Sequence, residues 1–342
     1  MKKLSALLIS VLLSVSMFTS VAQKQQNPYM TRSFASSSIK SLEVTTSGGY
    51  ITVNGNANSE AVVEVFVSRG GWSAEKIKKT FEENYDLDIK VEAEKLSVVA
   101  KPKNKTTNWS KQGVEISFKI MVPKQVNSNL RTSGGSISLE NLSGSQNFAT
   151  SGGSLSVENV SDKIVGATSG GSITIKNSNG NIDLKTSGGS IAAKNCDGKI
   201  DIATAGGSLT LSNLKGNINA TTSGGSISAK TCDGTIHVAT SGGSINLDDI
   251  SGNVSAATSR GSMHVIMKSV NDYVKLSNTG YINLTVPAAE GYNLKVGAGK
   301  INTSGLKGFN GNKENNSLNG TVGNGGAKIE VQTTLQVSLV FK

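Results

Sequence analysis

The repeat that decides the fold is clearest at residues 187–204, which read SGGSIAAKNCDGKIDIAT. Its opening tetrapeptide recurs in steps of 18 residues, beginning at Ser133, Ser151, Ser169, Ser187, Ala205, Ser223, Ser241 and Ser259. Eight units of one length that follow each other without a gap are typical of a solenoid, in which each unit stacks on the one before. The sequence therefore predicts a one-dimensional stack of similar coils.

Each unit carries two short strands. In residues 187–204, Ile191 and Ala193 alternate with polar or small residues, and Ile200 and Ile202 do so again. This period of two predicts strands with one buried face. A single glycine between the strands marks a corner where a positive φ is tolerated, and a Gly-Gly pair marks the other corner. The Gly-Gly corners are expected to be structural: Gly134, Gly135, Gly152, Gly153, Gly170, Gly171, Gly188, Gly189, Gly206, Gly207, Gly224, Gly225, Gly242 and Gly243.

Two architectures fit these strands, a parallel solenoid and an antiparallel meander with hairpin turns. Identical residues recur at equivalent places, since the ninth place holds Asn141, Asn159, Asn177, Asn195 and Asn213 and the last place holds a threonine from Thr132 to Thr258. In-register parallel stacking favours such columns, because each side chain can bond its equivalent about 4.8 Å away in the next coil. We therefore favour an all-β parallel solenoid with 18-residue coils. By parity the threonines point inward.

The flanking segments are expected to cap the stack, because its end coils would otherwise expose strand edges and core. We divide the chain into a signal peptide at 1–22, an N-terminal β cap region at 23–130, the eight repeats at 131–276 and a C-terminal β cap at 277–342. Ile77 and Phe81 lie four residues apart after Ser73, which is expected to be the N-cap, and this predicts a short helix at about 73–84. The polar residues at 310–320 predict a loop.

The first residues are typical of a secretory signal peptide. Two lysines precede an apolar run that ends at Phe18, and Ser20 and Ala22 frame a cleavage point before Gln23. The run is short for a membrane span. We therefore expect an exported protein that is periplasmic, cell-surface or secreted, with no transmembrane segment after cleavage.

Charge and composition limit the classes of partner that the protein can be expected to bind. The formal charge of the chain is +10, and removing the two lysines of the signal peptide leaves +8, spread along the sequence. This is compatible with a polysaccharide or another cell-surface component as partner, and the lack of an aromatic-basic motif disfavours nucleic acid. Only 2 histidines occur and the Gly-Gly-x-Gly-x-Asp calcium repeat is missing. We expect neither a cofactor nor a metal.

The two cysteines, Cys196 and Cys232, both occupy the tenth place of their units and are separated by two coils. Parallel stacking places their Cα atoms about 9.6 Å apart, which exceeds the roughly 7 Å limit for a disulfide. The spacing therefore predicts two buried free thiols and no disulfide.

One outward column is a candidate site: Asp183, Asp201, Asn219 and His237 share the fifteenth place of four successive units. Two carboxylates on neighbouring coils could share a proton or hold a cation, and an imidazole could act as an acid or base. β-Helices also carry polysaccharide lyases and hydrolases, but neither Arg nor Lys completes a lyase-like site in this column. We favour a binding role without catalytic residues, with a polysaccharide-acting lyase or hydrolase as the alternative.

Several stretches together resemble a known family. They are LEVTTSGGYI at 42–51, Val122-Pro123 before the repeats, and the tandem Thr-Ser-Gly-Gly-Ser-Ile units. They are similar to the "putative adhesin" family of secreted bacterial β-strand-repeat proteins, a domain of unknown function related to autotransporter adhesin head domains. The resemblance implies a right-handed β-helix of two sheets, no established catalytic residues and a role in cell adhesion.

Overall fold

The computed structural model describes residues 27–103 and 113–342. The signal peptide predicted at 1–22 lies outside the described residues. The chain forms a β-solenoid of two sheets in which successive coils stack in parallel register, as the column chemistry predicts. We call the sheet built from the first strand of each coil sheet A and that built from the second strand sheet B.

The chain enters the solenoid before the tandem repeats begin. The N-terminal elements are β1 (Met30–Ala35), a 3-10 turn (Ser36–Ser38), β2 (Ser41–Thr45), β3 (Ile51–Asn56), β4 (Glu60–Ser68), α1 (Ala74–Asn84), β5 (Tyr85–Glu92), β6 (Lys95–Pro102), β7 (Glu115–Pro123) and β8 (Asn127–Arg131). Leu42 of β2 pairs in parallel with Ser128, and Ile51 of β3 pairs with Ile137. Strands β2 and β3 thus form a coil that is separated in sequence from the next coil by 57–126.

The inserted segment covers the N-terminal end of the core. Strands β7, β4 and β1 extend sheet A, and β6 and β5 extend sheet B. The predicted helix is present as α1, and the Ser73 side chain accepts a hydrogen bond of 3.3 Å from the backbone N–H of Lys76. Phe81 of this helix is buried and packs edge-on against Tyr29, with ring centroids 5.0 Å apart. It also stacks on Tyr85, at 6.1 Å.

The central coils repeat one pattern. Their strands are β9 (Ile137–Leu142), β10 (Ser145–Thr150), β11 (Leu155–Val160), β12 (Lys163–Thr168), β13 (Ile173–Lys176), β14 (Asn179–Thr186), β15 (Ile191–Thr204), β16 (Leu209–Thr222), β17 (Ile227–Thr240), β18 (Ile245–Thr258) and β19 (Met263–Ser277). From β15 onward each long strand runs through the corner and contributes one half to each sheet. Ile191, Ile200 and Ile202 are at most 1% exposed, so the alternation read from the sequence is the alternation between core and surface.

Asparagine turns the chain between the two strands. Asn195 has a φ of 54° and the following Gly198 a φ of 118°, so the corner uses two residues in left-handed or glycine-favoured backbone. Asparagine tolerates that conformation better than most side chains. The Nδ2 of Asn195 also donates to Oδ1 of Asn177 at 2.9 Å, and Asn213 donates to Asn195 at 2.9 Å. The asparagine column is therefore both a turn device and a hydrogen-bonded ladder.

The Gly-Gly corner requires only its second glycine. A Cβ on Gly207 would collide with the carbonyl oxygen of Gly189 in the preceding coil, whereas a Cβ on Gly206 would lie 3.6 Å from the oxygen of Gly188. Arg260 occupies the place equivalent to Gly206 in the eighth unit. The first glycine is thus replaceable, and the second is fixed by the close approach of the coils.

The eighth coil departs from the regular length. Val254 pairs with Val274, a step of 20 residues instead of 18. The side chain of Asn253 holds the two extra residues in place, because its Oδ1 accepts from the backbone N–H of Asp272 at 2.8 Å and of Tyr273 at 3.2 Å. Beyond this bulge the solenoid changes into the C-terminal cap.

The C-terminal cap continues both sheets. It contains β20 (Ile282–Val286), β21 (Tyr292–Gly297), β22 (Lys300–Ser304), β23 (Phe309–Lys313), β24 (Ser317–Val322), β25 (Ala327–Gln332) and β26 (Gln336–Phe341). Sheet A ends in β20, β26 and β22, and sheet B ends in β25, β21, β24 and β23. The predicted loop at 310–320 is wrong, because β23 and β24 form an antiparallel hairpin in which Gly311 faces Gly320. Facing glycines let the backbones approach closely, and Leu318 and Val322 supply the buried face.

Candidate functional site

The predicted outward column lies in sheet B. Asp183, Asp201, Asn219 and His237 occupy equivalent places on four consecutive strands, and each is the register partner of the next. Their side chains alternate with the buried residues of the second strand, so the column faces outward. The first three are half-buried and His237 is exposed.

Each carboxylate of the column has its own polar partner. Lys185 Nζ donates to Asp183 Oδ2 at 3.1 Å, and Lys199 Nζ lies 3.6 Å from Asp201 Oδ2. The Nδ2 of Asn219 donates to Asp201 Oδ1 at 3.1 Å. The Asp201 carboxylate is thus held by a cation and an amide, whereas Asp183 pairs with Lys185 but its buried Oδ1, 3.0 Å from Lys185 Nζ, accepts no hydrogen bond.

This geometry provides hydrogen-bonding and charged groups but no assembled acid-base machinery. A general base must lie within hydrogen-bond reach of the nucleophile that it activates. His237 stands two coils from Asp201, with Asn219 between them. In residues 27–103 and 113–342, no group of three or more His, Cys, Asp or Glu side chains is arranged to hold a metal ion. What the column can do chemically is bind polar groups of a ligand.

Sequence reasoning missed the continuation of this column. His237 pairs with Ser255, Ser255 with Lys275, Lys275 with Glu330, and Glu330 with Lys295. A strict 18-residue step assigns Tyr273 to the fifteenth place, but the two extra residues of the eighth coil place Lys275 there instead. The column, which lacks a lysine in the regular coils, therefore gains two at the C-terminal end, Lys275 in the eighth coil and Lys295 in the cap. The only sequence signal for this continuation is the polar residues that follow the last regular unit, and these do not reveal the two-residue shift in register.

The outward face of sheet A is different. Its fourth place is serine in every repeat, and these hydroxyls bond across coils, since Ser190 Oγ accepts from the Ser208 N–H at 3.1 Å and Ser208 Oγ accepts from the Ser226 N–H at 3.2 Å. At the eighth place Lys230 Nζ lies 3.8 Å from Asp248 Oδ2. This face is a regular array of hydroxyls flanked by charged side chains.

The cysteines do not contribute to either face. Cys196 and Cys232 are 2% exposed and are register partners of Leu214 and Ile250, respectively. Burial raises the pKa of both thiols above the ordinary value. Because the thiolate is the reactive form, these are weak nucleophiles at neutral pH.

The fold and the outward columns define the class of the protein, a β-solenoid whose two faces carry repeated polar side chains. The chain belongs to the Toastrack family DUF4097, whose model matches residues 14–335. Among proteins with curated descriptions, none matches this sequence. Within the described part of the chain, no helix is long and apolar enough to cross a membrane.

Two solved structures are similar over most of the chain. One is a "putative cell adhesion protein" from Clostridium sporogenes ATCC 15579, with 13% identity, a TM-score of 0.18, and coverage of 92% of this chain and 100% of that one. The other is a "putative adhesin" from Bacteroides fragilis NCTC 9343, with 12% identity, a TM-score of 0.23, and coverage of 75% and 95%. These scores are too low for a residue-by-residue comparison of the sites.

Proposed function

We propose that this protein is an exported, non-enzymatic binding protein that attaches to a polysaccharide or another component of a cell surface. The observation that carries this proposal is the construction of the two outward faces. The serine of sheet A recurs in every coil, sheet B presents polar side chains of several kinds on successive coils, and the carboxylates of the best candidate column are paired with lysines and an amide.

A repetitive face suits attachment more than catalysis. A rigid scaffold that presents equivalent groups at a constant spacing can engage a long or repetitive ligand at several points, and weak contacts then add through multivalency. Catalysis instead requires a nucleophile, a base and an orienting group converging on one point. The two outward faces provide a repetitive scaffold of this kind, and not a converging catalytic site.

Export is part of the proposal. It rests on the sequence pattern of the first 22 residues, which has the charged start, apolar run and small-residue cleavage site of a signal peptide. The positive charge of the chain favours an acidic envelope component as partner.

The proposal is tested by presenting the purified protein to a glycan array and to whole cells, with proteolysis of intact producing cells to locate it. We expect saturable binding to surface glycans or cells and cleavage of the protein by added protease. A lyase or hydrolase would instead shorten its polysaccharide, and the single substitution Asp201→Asn would abolish that activity. Measurable depolymerisation with this sensitivity would refute the proposed function.

A further inference from the structure

The outward face of sheet B is hollow where the regular coils end. A cavity of about 410 Å³ opens on β17, β18, β19 and β25. A second hollow of about 230 Å³ shares Lys275 and Glu330 with it and adds Lys295 of β21. We call the two together the junction trough. Its outward side chains are His237, Ser255, Tyr273, Lys275, Lys328 and Glu330, with Lys295 at its end.

The trough coincides with the bulge of the eighth coil. The two extra residues shift the register, and the backbone N–H groups of Asp272 and Tyr273 are fixed on the side chain of Asn253. Tyr273 is thereby held half-buried beside the column that holds Ser255 and Lys275. The concavity is thus anchored by hydrogen bonds within sheet B.

The trough has an excess of positive charge. It contains three lysines and one carboxylate, and Glu330 lies 3.9 Å from Lys275. Among the residues that the structure describes, Lys328 and Lys295 have no carboxylate within ion-pair distance. Lys328 and Lys295 are therefore available for an acidic ligand, and Lys275 also stays available, because its 3.9 Å contact with Glu330 is longer than a hydrogen bond. Lys328 and Lys295 are exposed, so each can pair with a ligand anion while staying partly hydrated, and each such pair adds only modestly to the affinity.

The other groups of the trough match a sugar. Tyr273 offers an aromatic body for the apolar face of a ring, with a hydroxyl at its tip. His237 and Ser255 provide hydrogen-bonding groups for sugar hydroxyls. A volume of about 410 Å³ lies in the range of small-ligand sites.

We propose that the junction trough binds a carboxylate-bearing sugar segment of an acidic polysaccharide. Tyr273 packs on one ring, Lys328 and Lys275 receive its carboxylate, and Lys295 receives that of a neighbouring sugar. Lys275 and Lys295 are two strands apart, about 9.6 Å between Cα atoms, so they meet acidic groups on separate sugars. This site goes beyond the proposed attachment by the repetitive faces, since it is a single place with its own ligand chemistry.

The test is calorimetric titration of the full protein with an oligo-uronate of four sugars. The matched probes are its methyl ester, which is neutral, and a poly-aspartate peptide of equal charge. We expect the uronate to bind, the ester to bind about tenfold more weakly or worse, and the peptide to bind more weakly than the uronate. Failure of the uronate to bind, or tighter binding of the peptide, would overturn the proposal.

Variants separate a specific site from general attraction. Lys328→Gln and Tyr273→Leu are each expected to weaken uronate binding about tenfold, and Glu330→Gln is expected to strengthen it by removing the one opposing charge. The control is Lys163→Gln, which removes the same charge from the same outward face several coils away. It should leave affinity within about twofold. If Lys163→Gln weakens binding as much as Lys328→Gln, the trough is not the site. Thermal unfolding of each variant shows that the fold is retained.

Discussion

The hydroxyl of Thr204 donates a hydrogen bond of 2.7 Å to the carbonyl oxygen of Gly189, at the Gly-Gly corner that opens the same 18-residue unit. The same hydroxyl accepts from the backbone N–H of Gly207 at 3.2 Å. One side chain therefore ties two successive Gly-Gly corners together, and the equivalent threonines do so along the solenoid. Thr204 is 6% exposed, so these bonds are shielded from water.

The hydrogen bonds of the Thr204 hydroxyl should stabilise the fold beyond what the packing of the side chain contributes. Thr204→Val keeps the volume but leaves the Gly207 N–H without its acceptor, and we expect a loss of about 1–3 kcal/mol in the free energy of unfolding. The matched control is Thr221→Val, one strand away on the outward face, which should change stability by less than about 0.5 kcal/mol. Urea denaturation of both variants measures the difference. Equal losses would show that the bridge does not stabilise the corner.

The two glycines of a corner should respond differently to the same added methyl group. Gly207→Ala drives a Cβ into the carbonyl of Gly189, and we expect destabilisation of about 3 kcal/mol or a failure to fold. Gly206→Ala meets its nearest atom at 3.6 Å and should be tolerated. The comparison is made by thermal unfolding. A tolerant Gly207 would contradict the close stacking of the coils.

Substitutions at inward and outward places of one strand should also differ in their effect on stability. Ile200 is fully buried, so Ile200→Ala is expected to cost about 2–5 kcal/mol. The neighbouring Lys199 side chain is 64% exposed, and Lys199→Ala should cost well under about 1 kcal/mol. Equal decreases in unfolding temperature for the two variants would contradict the assignment of Ile200 to the core and Lys199 to the surface.

Burial should protect both thiols. Because burial disfavours the thiolate, the pKa of Cys196 and that of Cys232 are raised, and alkylation should be slow in the folded protein and fast after denaturation. The folded state holds these protons more tightly than the unfolded state, so stability should fall as the pH rises above the ordinary thiol pKa. The double variant Cys196→Ala, Cys232→Ala should lose that part of the pH dependence. A Cys196–Cys232 crosslink in the mass spectrum of non-reduced protein would exclude the observed register.

The repeat made most of this fold predictable. A constant 18-residue step fixed which residues stack, so the inward threonines, the asparagine column and the buried place of Cys196 followed from parity and register. The hydrogen-bond partners of the threonines could not be predicted from the repeat. Like residues in a column suggested bonds between equivalents, which the asparagines make, but the Thr204 hydroxyl bonds to glycine backbone instead. Side-chain length decides this, because the short threonine reaches only the corner beside it.

The ends of the solenoid were less predictable, because there the register no longer repeats. The coil of β2 and β3 is separated from its neighbours by a long insertion, and the polar hairpin of β23 and β24 has facing glycines in place of an apolar pattern. The same reason hid the junction trough. Lys275 enters the candidate column only through the two residues added in the eighth coil.

Attachment through repeated faces is tested most directly by removing coils without disturbing the rest. Deleting residues 187–222 takes out two whole coils and brings Ile182 beside Ile236, so register and core are kept and every junction-trough residue remains. We predict a folded protein whose attachment to cells or glycans is substantially weaker, whereas Asp183→Asn in the full-length protein stays within a few-fold of the parent. Oligo-uronate binding at the trough should be unchanged by the deletion. Full attachment by the folded deletion protein, or loss of attachment by the full-length protein through Asp201→Asn alone, would contradict this account.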